Sequence, residues 1–243
     1  MRARLAIYKS KQIVELRDVV LNNKPAEMLA ASPKATVPIL VLSSSKTTYS
    51  EEEEGEASNE SSSKVIDESV DIMLWALGES DPNNLLRAET LNSAGLLSSA
   101  GLINSEAEPS TQLTEILSLI NRFDQEFKLC LEAYKCAKRY HEPNLLACRQ
   151  ACEVYIQDLE QRLNSHEYLI DENESMADIA LLPFIRQFAR IERQWYLQSP
   201  YPQVKRWLKQ YLQSVMFTKV MAKFPLWSLD QKVIEFGNIL LSE

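Results

Sequence analysis

From residue 111 onward, apolar side chains recur every third or fourth position, and this rhythm restricts the second half of the chain to helices. Leu113, Ile116, Leu117, Ile120, Phe123 and Phe127 form one such stripe, and Cys148, Cys152, Tyr155, Leu159 and Leu163 form another. "SMADIALLPFIRQFARI" and "QVKRWLKQYLQSV" continue the pattern. Several stripes in succession point to an all-helical bundle over 111–243.

The first eighty residues obey a different rhythm. "MRARLAIYKS" reads as an amphipathic helix, "IVELRDVV" (13–20) alternates as a strand does, and "KPAEMLAA" opens a helix at Pro25. "TVPILVL" and "KVID" are short apolar strands, and "ESVDIMLWAL" begins a helix that Gly78 is placed to stop. Residues 1–80 therefore form a small α/β unit. Between its strands lies "SSSKTTYSEEEEGEASNESSS" (43–63), nearly devoid of apolar side chains and expected to be a disordered acidic insertion; its serines also make it a candidate phosphorylated loop. Residues 81–110 are expected to link the two units, with low-complexity sequence over 88–110 and the SAGL piece repeated.

Composition narrows the function classes. The net charge of −8 argues against a sequence-independent grip on nucleic acid, which needs clustered basic residues. No apolar run approaches the about eighteen residues of a membrane span, so no membrane partner is expected and the localisation expected is cytoplasmic. Cys130, Cys136, Cys148 and Cys152 fall in helical pattern without CxxC spacing and with only His141 and His166 for company. They read as free thiols in a reducing compartment, and no metal site is expected.

Three features in the α/β unit carry chemistry. Pro38 in "TVPILV" cannot donate to a ladder, and it either begins a strand in trans or follows Val37 in a cis bond that turns the Val37 main chain outward toward an extended ligand. Ser69, between Glu68 and Asp71 in "VIDESVDI", stands where a helix begins; it is a plain cap, or its hydroxyl joins the unpaired amides to hold a carboxylate. Lys24 in "NNKPAEML" is a solvated surface lysine or a point charge for a second carboxylate. In the helical half, Ser175 and Asp178 have the spacing of a capping box.

A strand led by Val-Pro, a second strand, a helix opened by Glu-Ser and an all-helical half together resemble the glutathione transferase superfamily. "MRARLAI", "NKPAEML", "SPKATVPIL" and "VIDES" are most similar to its bacterial cysteine-type members, relatives of the omega class and of glutaredoxin 2. The resemblance implies a thioredoxin-like α/β domain followed by a helical domain. It implies glutathione as co-substrate, with Val37 pairing its cysteinyl residue, Glu68 and Ser69 holding its γ-glutamyl end and Lys24 its glycyl carboxylate. The second substrate would be an electrophile or a disulfide, against a wall for which Phe123, Phe127 and Tyr134 are candidates, with core packing as the alternative. The protein would be a monomer or homodimer. The activity implied is thiol transfer, deglutathionylation or conjugation; a non-catalytic interaction module is the other reading.

In such relatives the first helix follows a strand and a turn carrying the reactive cysteine, and Met1 matches the residue just after that turn. The resemblance therefore implies an α/β domain here without its first strand, which belongs between the strands at 13–20 and 37–42. The protein is expected to start roughly ten to fifteen residues upstream, enough for a strand and the turn with the catalytic cysteine just ahead of Met1. Without that strand both neighbours would show unpaired ladder groups, each costing about 1–3 kcal/mol when buried.

Overall fold

In the computed structural model the structure describes residues 1–43, 64–87, 111–227 and 233–237. The insertion expected at 43–63, from residue 44 on, and the linker expected at 81–110, from residue 88 on, lie outside the described residues.

The order of elements in the first unit follows the sequence rhythm: α1 (Arg2–Ser10), β1 (Val14–Glu15), α2 (Ala26–Ala31), β2 (Leu40–Leu42), β3 (Lys64–Ile66) and α3 (Ser69–Glu79). α1 buries Ala3, Leu5, Ala6 and Ile7, and packs most extensively against α3, which buries Ile72, Met73, Ala76 and Leu77. Gly78 sits one residue inside α3 rather than ending it. β2 and β3 pair antiparallel with Leu40 opposite Ile66.

The helical half comprises α4 (Thr111–Arg122), α5 (Lys128–Tyr140), α6 (Leu145–Ser165), α7 (Met176–Ile191), α8 (Arg193–Gln198), α9 (Pro202–Leu212) and α10 (Val215–Val220). α4 passes into α5 through one π-helical turn, Phe123–Phe127. α7 is the axis: eleven of its sixteen residues are buried, because it meets α4, α5, α8, α9 and α1. Its start is fixed by the capping box that the sequence indicates, with both the Ser175 and Asp178 halves formed.

Two boundaries differ from the sequence reading. Residues 81–87, read as the start of a linker, are packed: Leu85 and Leu86 are buried, and the Asp81 carboxylate accepts from both their amides at 2.8 Å. Arg87 then grips Asp171 through two bonds of 3.0 Å, and the Met176 amide donates to the Leu85 carbonyl. These contacts lock the α/β unit to the start of α7. At the other end, the all-helical reading of 111–243 stops at Val220. A β4 strand (Glu235–Phe236) returns to pair antiparallel with β1, Val14 opposite Phe236. Leu226 bridges Asp18, and Phe224 stacks edge-on with buried Phe236. The outer edge of β1 is thus covered by chain more than two hundred positions away. Gly237 makes this possible: its φ is +102° and a Cβ there would lie 1.8 Å from the Gln12 carbonyl oxygen.

The inner edge of β1 is not covered. β1 and β2 belong to separate two-stranded sheets, and a cavity of about 480 Å³ lies between residues 14–19 and 37–40. Its consequence is visible in burial: α2, β1, β2 and β3 contain no fully buried side chain, whereas α1 and α3 on the sheet's other layer do.

Candidate functional site

α3 begins at the edge of the small sheet. Glu68 occupies the N-cap and Ser69 the first helical position, and neither side chain caps the helix. Ser69 is therefore not the plain cap that its position in sequence allowed; its half-buried hydroxyl lies beside the unpaired amides of the first turn. Three carboxylates surround that turn. Asp67 is held below its ordinary range first by a hydrogen bond from Lys34 and then by one from Ser32, whose Oγ lies 2.9 Å away. Asp71 is pushed up, first by burial and then by the charge of Glu68.

The lysine at this site is Lys34. Its ammonium donates to Asp67 Oδ1 at 3.0 Å and Glu68 Oε1 at 2.9 Å, and both raise its pKa, Glu68 the more. Sequence reasoning did not name it, and placed Lys24 at the other end of the ligand, against the glycyl carboxylate. Lys24 stands at the entrance to α2, half-buried, with no hydrogen bond or ion pair among the described residues, and the structure does not bring it to Glu68 or Ser69. The signal that could have found Lys34 is its place in "SPKATVP", where the turn before a Val-Pro strand must fold back over the neighbouring strand's end.

The Val37–Pro38 bond is cis, and Val37 is half exposed. Both residues line the 480 Å³ cavity, whose wall also includes Met1, Ala3 and Arg4 at the start of α1. The fold thus sets three features at one end of the small sheet: the first turn of α1, the Val37 main chain and, across β2 and β3, the first turn of α3. Such an arrangement suits a small, extended ligand with charged ends. Its backbone can pair with Val37, a carboxylate can take the Ser69 amide and hydroxyl, and an ammonium can meet the carboxylates of Asp67 and Glu68.

The proposed second-substrate wall is corrected. Phe123, Phe127 and Tyr134 have no exposed surface. The phenylalanines stack on each other with centroids 4.8 Å apart, and Phe127 reaches Phe184 and Phe188 of α7. Tyr134 donates its hydroxyl to Glu192 at 2.8 Å, a carboxylate that Arg149 also binds at 2.9 Å. All three belong to the core, because the stripe they form faces α7 rather than the α/β unit.

The cysteines lie away from this site, Cys130 and Cys136 on α5, Cys148 and Cys152 on α6. Burial pushes the Cys152 thiol up to about 12, the opposite of an activated nucleophile. Among the described residues no group of His, Cys, Asp and Glu is arranged to hold a metal ion, and no helix is long and apolar enough to cross a membrane.

Comparison with known proteins agrees with this architecture. Residues 123–214 match the profile of the family described as "Glutathione S-transferase, C-terminal domain". No curated protein matches the chain. Among solved structures, glutathione transferase F7 from Populus trichocarpa superposes with a TM-score of 0.61 at 16% identity, over 90% of this chain and 91% of that one. The glutathione transferase URE2P6 from Phanerochaete chrysosporium, in complex with oxidized glutathione, gives 0.61 at 15% identity over 90% and 88%. A glutathione transferase family member from Pseudomonas fluorescens, with two glutathione bound, gives 0.60 at 15% identity over 90% and 86%. The fold is that of the glutathione transferases: a small thioredoxin-like domain and a helical C-terminal domain.

Proposed function

We propose that this glutathione-transferase fold binds glutathione at the junction of the Val37 main chain and the first turn of α3. The observation that carries the reading is Ser69: a hydroxyl at a helix start that caps nothing, beside amides with no partner in the helix. Glutathione is extended, ends in a carboxylate, and carries a carboxylate and an ammonium together at its γ-glutamyl end. The γ-glutamyl carboxylate takes the Ser69 hydroxyl and amide, where the helix dipole favours it. The γ-glutamyl ammonium faces Glu68 and Asp67, and the cysteinyl residue pairs with Val37. Lys34 neutralises Asp67 and Glu68 at the γ-glutamyl end, and Lys24, at the entrance to α2, is the candidate for the glycyl carboxylate at the other end.

The finer affinity to cysteine-type transferases, relatives of the omega class and glutaredoxin 2, rests on the motifs at 1–7, 32–40 and 65–69. Their chemistry is thiol transfer, in which a thiolate at the start of α1 attacks the glutathione sulfur of a glutathionylated partner, so that the partner's S–S bond breaks, its thiol is released and the glutathione passes to the protein as a mixed disulfide. The four cysteines stand on α5 and α6, and the second reading is a glutathione-binding module that does not itself transfer thiols. Reduction of a glutathione mixed disulfide by the purified chain separates the two.

The binding reading is tested by Ser69→Ala. A hydrogen bond to a charged group contributes about 1.5–3 kcal/mol, so glutathione affinity measured by calorimetry should fall at least about tenfold. Thermal unfolding should be unchanged, because the hydroxyl caps nothing. Equal affinity in the variant would remove the γ-glutamyl site from consideration.

A further inference from the structure

Three thiols that the glutathione reading leaves unused stand together between α5 and α6. The connection 141–144 turns the chain back, so that α6 returns antiparallel along α5 and packs against it. Side-chain pairs fix the register of the two. Arg122 Nη1 donates to Asp158 Oδ2 at 2.9 Å, and one step further the Tyr155 hydroxyl donates to Glu126 Oε2 at 2.9 Å. A step of four forward from Arg122 thus meets a step of three back from Asp158, and such steps keep to one helix face. The next step carries the row from Glu126 to Cys130 and from Tyr155 to Cys152. Cys148 follows one turn further along the same face of α6.

Electrostatics agree with this register. Burial is the first cause that raises the Cys152 thiol, and the charges of Cys130 and Cys148 come next. Cys130 acts on the Tyr155 hydroxyl as well, after burial and the contact with Glu126. Its sulfur therefore lies near both Cys152 and Tyr155.

Helix geometry selects the pair that can join. Packed helix axes are about 8–10 Å apart, and Cα atoms stand about 2.3 Å from each axis. Residues that face one another across the interface therefore have Cα atoms about 3.5–5.5 Å apart, which overlaps the range of about 4.4–6.8 Å in disulfides. Residues four apart on one helix, as Cys148 and Cys152 are, hold their Cβ atoms about 5–6 Å apart, beyond the about 3.5–4.5 Å that a disulfide needs. Cys130 with Cys152 is the pair that closes without deforming a helix. Exposure divides their roles: Cys130 is half-buried and within reach of a small oxidant, whereas Cys152 has no exposed surface.

We propose that Cys130 and Cys152 form a reversible oxidation site, in which a small hydroperoxide converts the two thiols into a disulfide that clamps α5 to α6. The Cys130 thiolate attacks a peroxide oxygen, the O–O bond breaks, and the departing oxygen takes a proton and leaves as alcohol or water. The Cys152 sulfur then attacks the sulfur of the Cys130 sulfenic acid. The S–O bond breaks, and the leaving hydroxide takes the Cys152 proton to become water. Two thiols are oxidised and one hydroperoxide is reduced. Cys152 is a weak nucleophile by itself, but the sulfenic acid forms directly opposite it, and proximity offsets its small thiolate fraction. The site goes beyond the glutathione reading and shares no residue with it.

The test treats the 243-residue chain with hydrogen peroxide, alkylates the remaining thiols and maps the peptides by mass spectrometry without reduction. The oxidised protein should be lighter by two hydrogen atoms before alkylation. The Cys130 and Cys152 peptides should be joined, with Cys136 and Cys148 alkylated, and dithiothreitol should restore all four thiols. Cys130→Ser should abolish the cross-link. Cys136→Ser and Cys148→Ser, which keep both partners, should leave its yield unchanged. Unfolding the chain in urea before oxidation should scatter the link over other pairs. The proposal is overturned if all four thiols stay free, if Cys130 passes to sulfinic acid without a cross-link, or if the link joins Cys148 or a second chain instead. An equally selective link in the unfolded chain would overturn it too, because the pairing would then owe nothing to the register of α5 and α6.

Discussion

Replacing Asp178 by alanine should destabilise the protein by about 4 kcal/mol, a large share of the about 5–15 kcal/mol of an ordinary domain. Its carboxylate is fully buried at the first turn of α7 and accepts four hydrogen bonds. They come from the Ser175 amide at 2.9 Å, the Ser175 hydroxyl at 2.8 Å, the Leu169 amide at 3.1 Å and the Trp207 indole at 2.9 Å. Alanine leaves two buried amides and an indole N–H unpaired, each costing about 1–3 kcal/mol, and removes the Asp178 half of the capping box besides. Solvation of the vacated space recovers part of that sum. Urea unfolding measures the difference. A change below about 1 kcal/mol would mean that water replaces the carboxylate at little cost.

The same carboxylate should leave a mark on the pH dependence of stability. Burial raises the pKa of Asp178 from 3.8 to about 6, against the pull of its four donors. The folded protein therefore takes up this proton more readily than the unfolded chain. Between about pH 4 and 6 the folded state binds more protons, so the contribution of Asp178 falls as pH rises through that window and is level above it. The full swing is about 3 kcal/mol. Asp178→Asn abolishes it, so the stability difference between the two proteins should slope across pH 4–6 and flatten above. Asp171, held low by the hydrogen bond from Arg87, works in the opposite sense at lower pH and is common to both proteins. Parallel stability curves from pH 4 to 7 would contradict the assignment.

The elements that the sequence made legible are those fixed by local rules. A capping box needs only residues three apart, and Ser175 with Asp178 forms one. Helical stripes announce a buried face, and the two named stripes are buried except at half-buried Leu117, Cys148 and Tyr155. What local rules omit is the identity of the neighbour. The Phe123–Phe127 stripe declared a buried face without saying that α7 covers it. Lys34 and Glu68 are distant in sequence, and their ion pair depends on the turn that carries Lys34 over the start of α3. β4 is two residues long, too short for any period, and it pairs with a strand more than two hundred positions earlier. The Val-Pro strand and Ser69 were readable as a pair only through resemblance, since each alone has a common structural use.

Phe127→Ala separates a core from a substrate wall by the quantity that it changes. The ring is completely buried, 4.8 Å from Phe123, 5.5 Å from Tyr155 and 6.4 Å from Phe188, centroid to centroid. It closes the π-helical turn that joins α4 to α5, in which both phenylalanines of "FDQEF", four apart, face inward. Truncating a buried phenylalanine costs about 3–5 kcal/mol, because the lost transfer energy is joined by the cavity left behind. With aromatic neighbours on several sides the pocket collapses poorly, and about 4 kcal/mol is expected from urea unfolding. Glutathione titrated into the folded fraction should bind with unchanged affinity, since the site at Val37 and Ser69 is built on other elements. A variant of near-native stability with altered ligand selectivity would instead return Phe127 to the wall of a binding site.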